Sequence, residues 1–410
     1  MINNRQFTTI FKKTNAGILV SILIILNACN TKQSEVNNES ISDTITSFNV
    51  KTAPEWENVF YRTQGWFGGD GMFCVNLNGK EHLDNDNPKI MMWFSDSMFG
   101  SIVSDVLQPN AIMTNNSFAI TNKNTPDSTA IKFYADYENK DKPKTILIPN
   151  SPEAGKGEYY WLGDGFVNQS KNNDLYIFAY RIKNISNEAF GFKEMGNNLI
   201  VIPSGSIPAF DKNRQIDIPF YKGLELDSVG SFGCAVLVNT KSAGVEGGDG
   251  YVYIYGIRGM EKAIYVARVY PQDIEDFNKW RFWNGNDFTD NVSDIKPLFK
   301  NASNELSVST LPNGKYVFVY QRNFNGKICF RVADSPVGPF KDYVDIYDPA
   351  AQIKDNKNYF SYNAKAHPVL SQPNELVISY HVNSFKFLED IQKDPHLYRP
   401  RFIKLTYTLD

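Results

Sequence analysis

From residue 51 onward the chain is written in short segments rich in Val, Ile, Tyr and Phe, cut apart by Gly, Asn, Asp and Pro. They include MMWFSDS (91–97), DLYIFAYRI (174–182), NLIVIP (198–203), CAVLV (234–238), YVYIYGI (251–257) and AIYVARVY (263–270). KYVFVYQR (315–322), KICFRV (327–332), ELVISYHV (375–382) and RFIKLTYTL (401–409) continue the series. β-Branched and aromatic side chains fit a pleated, half-buried surface, so each segment reads as a strand. LPNGK (311–315) and FNGK (324–327) between them read as hairpin turns. Helical periodicity is scarce; PQDIEDFNKW (271–280), with Pro271 near its start, is the one helix candidate. The chain is expected to be all-β.

A loose repeat organises these strands. Each unit opens on a Gly-rich or polar approach, enters a strand, and continues into a second, aromatic-rich strand. The openings are GWFGGDGMFCV (65–75), YYWLGDGFV (159–167), SVGSFGCAVLV (228–238), NELSVSTL (304–311) and YNAKAHPVL (362–370). From Asp70 to Asp164, Ser231, Glu305 and His367 the steps are 94, 67, 74 and 62 residues. A propeller blade of four strands takes roughly 40–50 residues before long loops are added. The observed spacing fits five blades and leaves too little chain for seven or eight. A five-bladed β-propeller also removes the edge problem posed by so many short strands. The alternative is a two-sheet sandwich with a small second domain.

The N-terminus, MINNRQFTTIFKKTNAGILVSILIILNACN, has a positive head (Arg5, Lys12, Lys13) and an apolar run that is short for a membrane span. The run ends on a small residue and Cys29. This is the secretory pattern, and it resembles the lipobox of bacterial lipoproteins with Cys29 as the acylated residue. The alternative is an ordinary signal peptide with an incidental Cys. Residues 1–28 are therefore expected to be a signal peptide, 29–50 a flexible polar tether, and 51–410 a single propeller domain. The protein is expected to sit in the bacterial cell envelope, lipid-anchored at the outer membrane, and to be a monomer. Cys74, Cys234 and Cys329 lie in apolar stretches and read as buried core residues.

Composition narrows the chemistry. Net charge is −3, which gives no excess of Lys and Arg to neutralise phosphates, so no nucleic acid partner is expected. Only 4 His and 4 Cys are present, against a metal cluster or a disulfide scaffold. DNDNP (84–88) lacks the Gly and closing Glu of a calcium loop, and no P-loop, dinucleotide fingerprint, zinc HExxH or GxSxG elbow occurs. No cofactor or metal site is expected beyond a structural calcium or sodium ion that sequence does not reveal. Carboxylates remain as the chemistry-bearing groups.

If each opening leads into the innermost strand of a blade, Asp70, Asp164 and Glu305 converge on the propeller axis, with Asp96 just behind. Glycosidic cleavage needs one protonated carboxyl for the leaving oxygen and one ionised carboxylate to activate water or attack carbon. These three acids are the catalytic candidates. Trp66, Phe67 and Trp161 flank them as stacking faces for sugar rings. Asp96, Arg181, Tyr320, Gln321, His367 and His381 are candidates for hydroxyl contacts. The GDG tripeptides 69–71 and 163–165 have a plainer reading as turns, and a third copy at 248–250 looks like a hairpin loop. His367 equally suits a structural role.

GWFGGDGMFCVNLNG (65–79) followed by MMWFSDSMFG (91–100) is similar to the opening of the bacterial domain-of-unknown-function 4185 and 5005 groups. Those are exported five-bladed propellers whose first blade carries GGDG and then W-x-x-D-[ST]-x-x-G. YVYIYG with AIYVARV, WRFWNG (280–285) and NELSVSTLPNGKYVFVYQ (304–321) also match. ADSPVGPF (333–340) resembles the A-x-S-x-x-G-P-[FW] strand end of glycoside hydrolase families 32 and 43. The resemblance covers about residues 60 to 385. It implies glycoside hydrolysis, in part of the 4185 group that of arabinofuranose polymers by glycoside hydrolase family 183. Asp70 then matches the blade-one nucleophile or base, Asp164 the blade-two acid, and Glu305 a proton donor. Ser95-Asp96-Ser97 departs from the expected Gly-Asp-[ST]. The expected substrate is a polysaccharide or oligosaccharide; the alternative is a non-catalytic carbohydrate-binding lipoprotein, and a plugged structural propeller is a third reading.

Overall fold

The computed structural model describes residues 45–410, apart from 87, 139–141, 187–190, 222–229 and 324–325. Cys29 and the signal segment lie outside the described residues. The strands form five antiparallel blades around one axis, and the protein is a five-bladed β-propeller.

Blade two shows the plan most simply. Tyr159–Asn168 lines the axis, and Asp174–Asn184, Phe192–Ile202 and Arg214–Asp217 follow outward in order. Blade three runs from Ser231–Asn239 through Tyr251–Arg258 and Ala263–Val269 to the short strands Arg281–Trp283 and Phe288–Thr289. Blade four comprises Leu306–Thr310, Tyr316–Gln321, Ile328–Ala333 and Val344–Tyr347. LPNGK makes its first hairpin, with Thr310 paired to Tyr316 and Gly314 at φ +78°.

Blade one is divided. Its axial strand is broken into Gln64–Gly69 and Phe73–Asn76, and the next into Ile90–Phe94 and Ser97–Val103. The halves form separate ladders that meet at Asp70 and Asp96.

Blade five closes the ring. Tyr359–Ala366, Glu375–Ser384 and Arg401–Leu409 come from the C-terminal end, and Ile45–Thr52 adds the outer strand. The expected tether therefore ends earlier than residue 50, because 45–50 is paired strand. Pairing the two ends of the chain in one sheet removes the free edge that the last blade would otherwise expose.

Packing confirms closure. One apolar cluster fills each junction: Trp93 with Ile177 between blades one and two, Phe178 with Phe232 between two and three, and Tyr255 with Phe318 between three and four. Val319 with Ile378 joins four and five, and Trp66 with Phe402 joins five and one. Most of the aromatic content is spent here.

The helix expected over 271–280 is instead two single 3-10 turns, Pro271–Asp273 and Phe277–Lys279. Buried Trp280 donates its indole N–H to the Ile274 carbonyl at 3.0 Å, taking an acceptor that a continued helix would use. An unanticipated helix, Pro54–Phe60, inserts Trp56, Val59 and Phe60 at the junction of blades five and one.

Candidate functional site

The axial strands share one irregularity at one height. In blade two the ladder slips between Leu162 and Gly165, in blade three between Phe232 and Ala235, and in blade five between Tyr362 and Lys365. Blade one is broken at 70–72, and blade four starts its strand directly after Glu305. A bulge bends the strand and re-aims a side chain. The bulge presents Asp164 from blade two, the break presents Asp70 from blade one, and the strand start presents Glu305 from blade four. Gly163-Asp164-Gly165 is thus a bulge in a continuous strand, Gly69-Asp70-Gly71 is a bend between two strands with Gly71 at φ +61°, and Gly248-Asp249-Gly250 is the loop it looked like, with Asp249 accepting from the Tyr253 hydroxyl at 2.6 Å.

Glycine is required at these bulges by close approach. A Cβ on Gly163 would lie 2.5 Å from the Gly233 carbonyl oxygen, and one on Gly71, at φ +61°, would lie 2.7 Å from the Ser95 hydroxyl.

The three acids have different surroundings. Asp164 accepts from the backbone N–H of Gly165 at 2.8 Å and of Val236 at 2.7 Å, so its carboxyl ties blade two to blade three. Burial pushes it up to about 7 against those hydrogen bonds and the nearby Lys365. Buried Glu305 pairs with the Lys365 ammonium and accepts from the Asn363 amide at 2.8 Å. Burial raises its carboxyl, and Lys365 and Asn363 oppose the shift. The Lys365 Nζ also lies 4.2 Å from the centre of the Phe73 ring.

Asp70 has only neutral donors among the described residues. The Tyr362 hydroxyl donates to its Oδ2 at 2.7 Å, and Tyr398 also hydrogen-bonds to it. Burial first, then the neighbouring Asp96, raises its carboxyl. Asp96 accepts from the Asn115 amide at 3.2 Å and from Trp161, and burial raises it too. Asp70, Asp96, Asp164, Trp161 and Tyr362 all keep part of their surface open to solvent. The Tyr180 hydroxyl is buried beside Gly163 and has no hydrogen-bond partner among the described residues.

Below the bulges the axis holds a cavity of about 60 Å³, lined by Asp164, Glu81, Cys74, Lys365 and His367 among others. That is room for a few waters, not a sugar ring.

Several expected sugar contacts lie elsewhere. Trp66 is 1% exposed and stacks on Phe133 at 4.4 Å; Phe67 is 0% exposed in the core. Both inner-strand faces are packed between blades, so neither ring offers a free surface. Arg181 is buried and pairs with Glu158 and Glu153 at 3.2 and 3.3 Å inside blade two. Tyr320 is buried against Phe299 and accepts from Arg331 at 2.9 Å. Gln321 is buried and donates to Ser361 of blade five at 2.7 Å. His367 lies at the far end of its strand, bonded to Ser379 at 2.7 Å and Cys74 at 3.3 Å, and burial depresses it to about 3. His381 is buried behind Tyr362, its rings 5.8 Å apart, and burial also lowers it. These residues are structural in their contacts. Tyr398 and Asn115, which reach the site from distant loops, carry no local sequence signal.

The family model described as "Domain of unknown function (DUF5005)" matches residues 54–407. The chain belongs to this family. No curated protein matches it. Among solved structures it resembles a candidate hydrolase from Bacteroides ovatus at 19% identity and TM-score 0.67, covering 91% of this chain and 96% of that one. An α-L-arabinofuranosidase from Clostridium thermocellum aligns at 14% identity and TM-score 0.39, over 74% of this chain and 81% of that one. An exo-β-1,3-galactanase from Phanerochaete chrysosporium aligns at 10% identity and TM-score 0.45, over 87% and 64%. At its identity the B. ovatus likeness speaks for the fold alone. Among the described DUF5005 residues, no cluster of His, Cys, Asp or Glu is arranged to hold a metal ion, and no helix is long and apolar enough to cross a membrane.

Proposed function

We propose that this DUF5005 protein is a glycoside hydrolase acting on a polysaccharide or oligosaccharide from the bulged end of the propeller axis. The observation that carries this reading is the Asp70 carboxyl, on a residue that keeps part of its surface open, oriented by Tyr362 and influenced by a second carboxyl, Asp96, which Trp161 hydrogen-bonds. An ionised Asp70 takes a proton from water or attacks the anomeric carbon, while a protonated carboxyl gives its proton to the glycosidic oxygen that leaves. Asp164, pushed up to about 7 by burial, provides a carboxyl that is partly protonated near neutral pH. The B. ovatus likeness to a candidate hydrolase and the glycosidases among the more distant propellers agree with this reading. Arabinofuranose-containing polymers are the first substrates to test.

The reading includes export and attachment to the cell envelope through a lipid on Cys29, supported by the charged head, apolar run and small residue before that Cys. Purified protein would be assayed against arabinose- and galactose-containing polysaccharides with product analysis. Release of defined products, lost in Asp70→Asn, supports the function. Equal cleavage by Asp70→Asn refutes the site, and no cleavage of any polymer favours the second reading.

That second reading is a glycan-binding lipoprotein. It is favoured by Asp164 and Glu305 each being held by structural partners, two backbone N–H groups in one case and Lys365 in the other.

A further inference from the structure

The two breaks in blade one face each other. The Asp70 N–H donates to the Asp96 carbonyl at 3.1 Å, and the Ser95 N–H donates to the Asp70 carbonyl at 2.8 Å. This exchange bridges the gap between the blade's two ladders and holds residues 70 and 96 as backbone neighbours. Gly71 lets the backbone turn there, at φ +61°, and its missing Cβ makes room for Ser95. The two residues are both partly exposed, and the Asp96 charge is close enough to raise the Asp70 carboxyl.

Their donors are divided. Tyr362, from the axial strand of blade five, and Tyr398, from the connection that follows the helix Phe387–Lys393, serve Asp70. Asn115, from the third strand region of blade one, and Trp161, from blade two, serve Asp96. Among the described residues no Lys or Arg pairs with either carboxyl, in contrast to Glu305 with its lysine. The other titratable groups felt at the corner are Glu305, which repels Asp70, and the neutral phenol of Tyr159, whose ionisation burial and Asp96 oppose. His381, behind Tyr362, is held neutral by burial.

We propose that Asp96 is a positioning residue that works through Asp70: the pair carries a single proton between them, and Asp96 sets the pH at which Asp70 becomes a base. Two carboxylates in one poorly solvated corner cannot both ionise cheaply, so they titrate as a unit. Four neutral donors fix where each oxygen points without discharging the pair. Burial and mutual repulsion both raise Asp70, which agrees with this arrangement. A merely structural Asp96 would hold the Asn115 and Trp161 donors without altering Asp70. The catalytic consequence rests on the glycosidase reading; the shared titration does not.

The test therefore has two arms. In protein labelled with 13C at the Asp carboxyls, the Asp70 resonance, assigned through Asp70→Asn, is titrated in wild type, Asp96→Asn and Asp96→Ser. Removing the neighbouring charge is expected to lower the Asp70 midpoint by about one pH unit or more. In turnover, the acidic limb of kcat/KM is expected to move to lower pH by the same amount. An Asp70 midpoint that stays in place in both folded variants overturns the pair. Absence of turnover on every glycan, with the carbon midpoint shifted, refutes the glycosidase reading and leaves the pair intact.

Discussion

Lys365 of blade five and Glu305 of blade four form an ion pair at the axis, with the Lys365 side chain 2% and the Glu305 side chain 10% exposed. Removing one partner of such a pair leaves a desolvated charge. Lys365→Met is expected to cost about 3–5 kcal/mol in denaturant unfolding at pH 8. The cost should shrink as the pH is lowered and Glu305, whose carboxyl burial raises, takes up a proton. Lys365→Met combined with Glu305→Leu should recover most of the loss, because both charges are then gone.

Gly163 and Gly233 lock blades two and three together. A Cβ on Gly233, at φ +105°, would fall 2.1 Å from Phe178 Cβ. Gly163→Ala and Gly233→Ala are each expected to destabilise by about 2 kcal/mol or more. Gly157→Ala, at φ +81° with nothing within 4 Å, carries only the backbone strain and should cost about 1 kcal/mol. Chemical denaturation midpoints check the contrast.

Stability should fall as pH rises through neutrality. Burial pushes Asp164 and Glu194 up to about 7 and Glu81 up to about 8, against roughly 4 in an unfolded chain. Between those values the native state holds protons that the unfolded state has released. The stability these groups contribute is full below about pH 4 and lost as pH climbs through 7 to 8. The carboxyls held low by partners, such as Glu275 by Arg214, act in the opposite sense only below about pH 4. The melting temperature is expected to be several degrees lower at pH 8.5 than at pH 5.5.

Tyr362→Phe deletes the hydroxyl donor to Asp70 and keeps the ring. The hydrogen bond favours the ionised carboxylate, so its loss should raise Asp70 further and move the acidic limb of kcat/KM to higher pH. Activity at pH 6 is expected to drop roughly tenfold, with a smaller loss at pH 8. The sign is opposite to that expected for Asp96→Asn, which separates the two roles in one assay.

Deleting Ile45–Thr52 uncovers the Arg401–Leu409 strand as an edge. Loss of ring closure should lower the unfolding midpoint and promote self-association, read by thermal melting and light scattering.

The strand rhythm alone determined the propeller, because short Val-, Ile- and Tyr-rich runs at about 70-residue units have few ways to bury both faces and close their edges. It also singled out Asp70, Asp164 and Glu305, since an acid in or at the start of an otherwise apolar axial strand stands out, and Asp96 just after the second strand of blade one. Tertiary structure decided what each one touches. Trp66 and Phe67 read as sugar platforms beside Asp70, yet inner strands are packed on both faces, so proximity in sequence became burial in space. Arg181, Tyr320 and Gln321 read as hydroxyl contacts for the same reason and are bonded within and between blades. Tyr398 and Asn115 reach the carboxyls from loops that no local pattern connects to them. Residues 45–50 look like a polar tether because an outer strand with one exposed face needs few apolar side chains, and only the pairing with Arg401–Leu409 makes them part of the domain. The sequence thus specifies the strands and the acids through local composition. The partners that set each acid's charge come from chain segments tens to hundreds of residues apart, brought together when the ring closes.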